Sequence, residues 1–248
     1  FLATPPVMEK ASSTPTLPSR EAVRSLIASQ APARRSLTCL PWRSNEMISL
    51  RVTELLFNGL VGINEKQQIV PELAERWETT EKGRVYTFFL RKGVLWHPRE
   101  GEEPRLFTAD DVIFTYTIMM HKRTITPLKV RYEFIQKAEK LDDYTVKFTL
   151  KRPILNALAK FSFKVLPKHG PSNPNYLTRE DPFVQNPIGT GPFLLKNVTA
   201  EREIILVANE NYFKGRPHID KFVAKPFADQ NIMTQALMFN AIDMIVLV

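Results

Sequence analysis

Residues Val85–Leu90 alternate as an extended strand does: Tyr86, Phe88 and Leu90 fall on one face, Val85, Thr87 and Phe89 on the other. Both faces are largely apolar, so the pattern predicts a strand covered on two sides. Such a strand needs partners, and the surrounding sequence supplies them as hairpins. Residues 77–90 read as a hairpin turning near Glu81-Lys82-Gly83. Residues 132–150 read as a second, turning at Asp142-Asp143 with Val146, Phe148 and Leu150 on one face. A third is predicted over 193–197 and 203–208, and residues 60–70 form a shorter one around Asn64-Glu65-Lys66.

Helical signals punctuate these strands. Met47, Ile48, Leu50, Val52, Leu55, Leu56 and Leu60 fit one broad buried helical face that ends near Gly59. Residues 71–77 read as a single helical turn, and Pro153 opens another short helix. Thr108 caps a predicted helix running to about residue 121, with Asp110 and Asp111 where the helix dipole favours negative charge. Asp229 caps a last helix to about residue 239, and residues 242–248 begin an apolar strand. The class is therefore mixed α and β, with hairpins dominating.

Residues 1–40 differ. They hold Pro5, Pro6, Pro15, Pro18 and Pro32 among many Ser, Thr and Ala, with one helix-like patch over residues 19–29. This reads as a loosely ordered arm. The chain opens at Phe1 without a methionine or an apolar leader, which fits a removed signal peptide or a shortened chain. No apolar run approaches the roughly 18 residues of a membrane span. Cys39 is the single cysteine, which excludes an internal disulfide. The stretch before it is not an apolar leader, so it reads as a small buried hydrophobe rather than a lipidation site. The net charge of +8 comes from basic residues interleaved with acidic ones along the whole length, a solvated surface rather than a nucleic-acid stripe.

The chemistry of bond making finds little support. Gly189-Thr190-Gly191-Pro192 lacks the following helix and the lysine of a phosphate loop, and its glycines are expected to supply positive φ for a tight turn. Gly59 and Gly93 read likewise as helix-end and turn glycines. His97, His121, His169 and His218 are dispersed, with no HxxxH pair, so no metal site and no cofactor are assigned. No Gly-x-Ser-x-Gly elbow exists, and Asp110-Asp111 and Asp142-Asp143 are adjacent pairs suited to caps and turns. The chain reads as a binding module and not an enzyme.

Seven blocks, in order, carry a resemblance. They are Phe57-Asn58-Gly59-Leu60-Val61; Ile69-Val70-Pro71-Glu72-Leu73-Ala74-Glu75-Arg76-Trp77-Glu78; Tyr86-Thr87-Phe88-Phe89-Leu90-Arg91-Lys92-Gly93-Val94-Leu95-Trp96-His97; Phe107-Thr108-Ala109-Asp110-Asp111-Val112; Asp142-Asp143-Tyr144-Thr145-Val146; Asn186-Pro187-Ile188-Gly189-Thr190-Gly191-Pro192-Phe193; and Asn209-Glu210-Asn211-Tyr212-Phe213-Lys214-Gly215-Arg216-Pro217. From about residue 47 onward the chain resembles the family 5 extracellular solute-binding proteins, which include oligopeptide-, dipeptide- and nickel-binding receptors of ABC importers. It departs at Asn240-Ala241-Ile242-Asp243, where the family has Gly-Glu-Ile-Asp; Asn tolerates the left-handed backbone that such a turn needs. The segment 98–104 replaces a shorter turn, and residues 22–40 match poorly.

The resemblance implies the first lobe of a periplasmic binding protein of type II, with the second lobe absent. Residues 41–60 and 184–248 then form the lobe core, and 61–183 an inserted, hairpin-rich subdomain. The implied ligand is a peptide or other small solute, the implied partner an ABC permease, and the implied place the periplasm or cell surface, as a monomer. By analogy, the loop Arg43-Ser44-Asn45-Glu46-Met47 faces the ligand cleft, or else caps the following helix, or does both. Tyr132 lies where relatives put an aromatic near the cleft, with ordinary packing as the alternative. A lone lobe whose cleft face binds another protein, or itself, is the competing reading.

Overall fold

The computed structural model describes residues 24–30, 47–99, 101–124, 129–178, 180–227 and 229–245. A five-stranded sheet has the order β11-β1-β10-β9-β8, with β1 at Arg24–Gln30, β8 at Phe193–Val198, β9 at Ile204–Ala208, β10 at Lys221–Phe227 and β11 at Met244–Ile245. β1 runs parallel to β10 and β11; β10-β9-β8 is an antiparallel meander. A four-stranded antiparallel sheet has the order β4-β5-β7-β6, built from Ala74–Thr80, Val85–Leu90, Thr145–Leu150 and Ile135–Asp142. The small hairpin β2-β3 (Val61–Ile63 and Ile69–Pro71) makes a third sheet.

The helices fill the spaces between. They are α1 (Met47–Leu56), α2 (Ala109–Met120), α3 (Lys129–Tyr132), α4 (Pro182–Gln185) and α5 (Gln230–Met238). α1 packs on β8 and β10, and α2 on β6 and β7. One continuous core joins both large sheets, from Leu56 and Phe57 through Phe88, Phe148 and Phe161 to Leu206 and Phe222. Phe88 and Phe148 each stack on Phe161, with ring centroids 4.8 and 5.0 Å apart. A smaller cluster, Met233 with Ile242, seats α5. Among the described residues no helix is long and apolar enough to cross a membrane.

Several expectations hold. The hairpins over 77–90, 132–150 and 193–208 form, and the first turns through Glu81, Lys82 and Gly83, all at positive φ. Asp229 Oδ1 accepts from the Asn231 and Ile232 amides at the start of α5. Asn240 adopts φ of 54°, the left-handed turn expected of it.

Others are corrected. The stretch 71–77 is not helical: β3 ends at Pro71 and β4 begins at Ala74, with a bulge between Ala74 and Arg76 that the ladder with β5 absorbs. The segment after Pro153 forms a 3-10 helix only at Ala157–Ser162, entered through left-handed Asn156. Residues 24–30, within the stretch read as a loose arm with a helical patch, form a strand, because β10 and β11 offer ladders on both sides. Finally, β5 is fully covered on one face only, although Val85 on the other face is buried as well. Thr87 and Phe89 are half-exposed, and the Arg76 guanidinium lies over the Phe89 ring at 3.4 Å. A cation stacked on the ring replaces the second protein layer that two apolar faces had suggested.

Candidate functional site

The sequence blocks meet at the C-terminal end of α1. The loop Ile188–Pro192 passes directly beneath that helix end, and the Gly191 amide donates to the Leu56 carbonyl at 2.9 Å, satisfying one of the acceptors a helix terminus leaves open. The approach leaves no room for side chains. A Cβ on Gly191 would sit 2.3 Å from the Leu55 carbonyl oxygen. Neither Gly189 nor Gly191 has positive φ, so the expected turn role is corrected: these glycines permit backbone-to-backbone contact. Gly59 is similar, since an added Cβ would fall 2.7 Å from the Ser162 carbonyl oxygen, whereas Gly93, at φ of 75° in open space, is a true turn glycine.

His97 clamps the same loop. Its amide donates to the Gly189 carbonyl at 2.8 Å, its Nδ1 accepts from the Gly189 amide at 3.0 Å, and its Nε2 lies 2.9 Å from the Gly191 carbonyl. Since Nδ1 accepts, the ring proton sits on Nε2 and the imidazole is neutral. Burial pushes its pKa down to about 4, against the milder opposing pull of the Gly191 carbonyl. Asn209 adds a second donor to Gly191, Nδ2 to carbonyl at 2.9 Å.

A polar knot holds the other side of the helix end. Buried Asn58 donates from Nδ2 to Tyr212 Oη at 3.3 Å and to Glu72 Oε1 at 3.4 Å, and accepts from Thr190 Oγ1 at 3.2 Å. Glu72 Oε2 accepts from the Gly59 amide at 2.8 Å, and Lys214 Nζ lies 3.8 Å from Glu72. Residues from four of the seven blocks thus share one network. Further out, Lys164 reaches Glu54 on α1 at 2.5 Å. The effect is to fix where α1 points, and α1 begins at Met47, directly after the loop expected to face ligand.

Of the expected site residues, Arg43, Ser44, Asn45 and Glu46 lie outside the described residues, and Met47 opens α1. Tyr132 closes α3 and is buried. Its ring packs edge-on against Phe163, centroids 5.5 Å apart, and beside Phe134, at 6.2 Å. Burial raises its hydroxyl pKa to about 12, so it is a neutral phenol at any working pH. Sequence reasoning did not single out His97, Asn58, Glu72 or Tyr212. All four stand inside the seven blocks, and that is the only signal that marked them.

Asp111 also exceeds its expected role. Besides sitting on the helix dipole, it is buried and accepts from Trp96 Nε1 at 3.3 Å, the Thr108 amide at 2.9 Å and the Lys168 amide at 2.8 Å. Burial is the main cause lifting its pKa. No group of three His, Cys, Asp or Glu side chains able to hold a metal occurs among the described residues.

With this geometry in view, the likeness to known proteins can be stated. Residues 68–248 match the family model described as bacterial extracellular solute-binding proteins, family 5 Middle. The dipeptide-binding protein of Escherichia coli (strain K12) is 32% identical over 201 residues, covering 75% of this chain and 38% of its own. The oligopeptide-binding protein AppA of Bacillus subtilis (strain 168) is 35% identical over 192 residues, covering 76% and 34%. The structure of AppA in complex with a nonapeptide superposes with a TM-score of 0.77 at 30% identity, over 88% of this chain and 43% of that one. NikZ from Campylobacter jejuni, in complex with Ni(L-His), also gives 0.77, at 29% identity over 90% and 43%. The chain thus spans little more than a third of the length of these curated relatives, and its mixed α/β fold is that of one lobe of a periplasmic binding protein. It belongs to the family 5 bacterial extracellular solute-binding proteins.

Proposed function

We propose that this chain forms the first lobe of an extracytoplasmic receptor that captures a peptide, or a solute of similar size, for an ABC permease. The observation that carries the reading is the superposition, over nearly the whole described chain, on a relative in complex with a nonapeptide. In this reading residues 41–60 and 184–248 form the lobe core together with the strand Arg24–Gln30, and 61–183 an inserted subdomain. Residues Arg43-Ser44-Asn45-Glu46-Met47 border the cleft, aimed by an α1 that is anchored at its far end, and Tyr132 supports the cleft wall from within the core. The receptor works by binding and hinge closure, as a monomer in the periplasm or at the cell surface, and makes no covalent change in its cargo.

A single lobe supplies only part of a closed site, while the loss of ligand freedom is undiminished, so affinity is expected in the millimolar range. Backbone NMR titration of the chain with dipeptides and a mixed-sequence nonapeptide tests this. Saturable shifts confined to residues 43–50 and the surroundings of Tyr132 are the expected result. Absence of saturable shifts there with every peptide overturns the peptide assignment.

A second reading is favoured by α5, where Met238 and Phe239 are 76% and 82% exposed beside exposed Ile232. This apolar face suits a protein partner or self-association. Sizing chromatography across a hundredfold range of concentration separates the two, a constant monomer opposing self-association.

A further inference from the structure

A groove of about 280 Å³ lies between the segment after His97, the turn Asn186–Ile188 and the strands β8 and β9. It shares no residue with the cleft loop proposed above. Its floor is apolar: Pro98, Pro187, Ile188, Leu194 and Val207. Its rim carries two cations and an amide, Arg99, Lys196 and Asn186. The volume falls just below the usual range for ligand sites, roughly 300–1,000 Å³, and the lining mixes apolar side chains with polar groups.

The charges on the rim are poorly neutralised. Arg99 makes one long bond to the Gly170 carbonyl, 3.4 Å, and stands 3.9 Å from Glu102. Lys196 has no carboxylate or hydrogen-bond partner among the described residues, and neither has the Asn186 carboxamide. His97, at the groove's inner end, is neutral and has both ring nitrogens engaged, so it offers no competing charge. Among the described residues no acidic side chain lines the groove. Other basic residues do have close carboxylate partners: Lys140 sits 2.7 Å from both Asp110 and Asp143, and Lys225 2.8 Å from Glu203. One unpaired and one loosely paired cation thus face the same hollow.

We propose that this groove binds a small organic anion with a short apolar arm, the anionic head between Arg99 and Lys196 and the arm over Leu194 and Val207. Arg99 provides a fork of donors and Lys196 a mobile point charge, which together accept a carboxylate or a phosphate monoester. The apolar floor favours an arm of a few carbons.

The test is a methyl-resolved NMR titration of the full chain with hexanoate and hexyl phosphate, and with acetate and 1-hexanol as controls. Saturable shifts at the Ile188, Leu194 and Val207 methyls are expected with hexanoate or hexyl phosphate, at a Kd at least tenfold below that of either control. Arg99→Gln with Lys196→Gln is expected to weaken that binding tenfold or more, and Lys196→Gln alone, at an exposed position, to weaken it while leaving the thermal melt unchanged. Acetate or hexanol binding as well as the amphiphiles overturns the proposal. So does a double variant that binds like the parent, or an absence of saturation with both anions.

Discussion

Gly189 lies so close to Leu56 that a Cβ added to it would fall 1.8 Å from the Leu56 carbonyl oxygen. Neither party can yield cheaply, because both contacting atoms belong to the backbone at the join of α1 and the loop. Gly189→Ala is expected to destabilise the fold by about 3 kcal/mol or more, at or beyond the usual cost of overpacking. Gly93→Ala, in open space at positive φ, should cost only about 1–2 kcal/mol, the left-handed penalty alone. Urea unfolding of the two variants checks the ordering, and equal losses would contradict the docking of loop on helix.

His97 makes stability depend on pH. Its folded pKa of about 4 lies below the usual 6.5, so between these values the unfolded chain binds a proton that the folded chain does not. Stability is therefore complete above about pH 6.5 and declines as the pH falls towards 4. The displacement corresponds to about 3 kcal/mol at full effect, at 1.36 kcal/mol per pKa unit. His169, also held near 4 by partial burial and by the charges of Arg105 and Arg99, acts with the same sign. Urea midpoints measured from pH 7.5 to 4.0 should fall steadily, and His97→Gln should flatten much of the slope while lowering stability at neutral pH.

Removing the centre of the polar knot should cost more than removing one of its spokes. Asn58→Ala strands the Thr190 hydroxyl and deprives Glu72 and Tyr212 of a donor, so a loss of about 2–3 kcal/mol is expected, against about 1 kcal/mol for Tyr212→Phe. The double variant should lose less than the sum, since both act on one network. Hydrogen exchange at the Gly59 amide, bonded to Glu72, reports loosening of the same knot. Strict additivity would mean that the contacts are energetically separate.

Asp111→Asn preserves shape yet turns one acceptor into a donor facing other donors. With three donors converging on the carboxylate, the loss is expected at about 2–3 kcal/mol. Trp96 reports locally: released from its bond to Asp111, its fluorescence should change before global unfolding in urea.

How much of this was readable beforehand depended on distance along the chain. The hairpins around Glu81–Gly83 and Asp142–Asp143 were legible because alternation and turn chemistry are local. Asp229 and Asn240 were legible for the same reason. Strand β1 was not, because what makes Arg24–Gln30 extended is the ladder with Lys221–Phe227, which no local periodicity encodes. The glycines of the Ile188–Pro192 loop were recognised as constrained but given the wrong constraint, since φ is a property of one residue and the Leu56 carbonyl belongs to another segment. His97 was misjudged in a like manner. Its role lies in the carbonyls of Gly189 and Gly191, remote in sequence. Of the cleft, the residues expected to border it lie outside the seven blocks and came only by analogy with the family, while the anchoring of α1 emerged from the structure.

The placement of β1 bears on the order of assembly. Ile27 pairs with Ala224 on one side and with Met244 on the other, so the earliest strand has no ladder until the last ones have been synthesised. The β4-β5-β7-β6 sheet, whose partners lie closer together, is free to form first, and the larger sheet closes later, the slow route expected of long-range parallel pairing. Until those later strands arrive, both edges of this strand stay unpaired in the nascent chain, a form suited to capture by a chaperone.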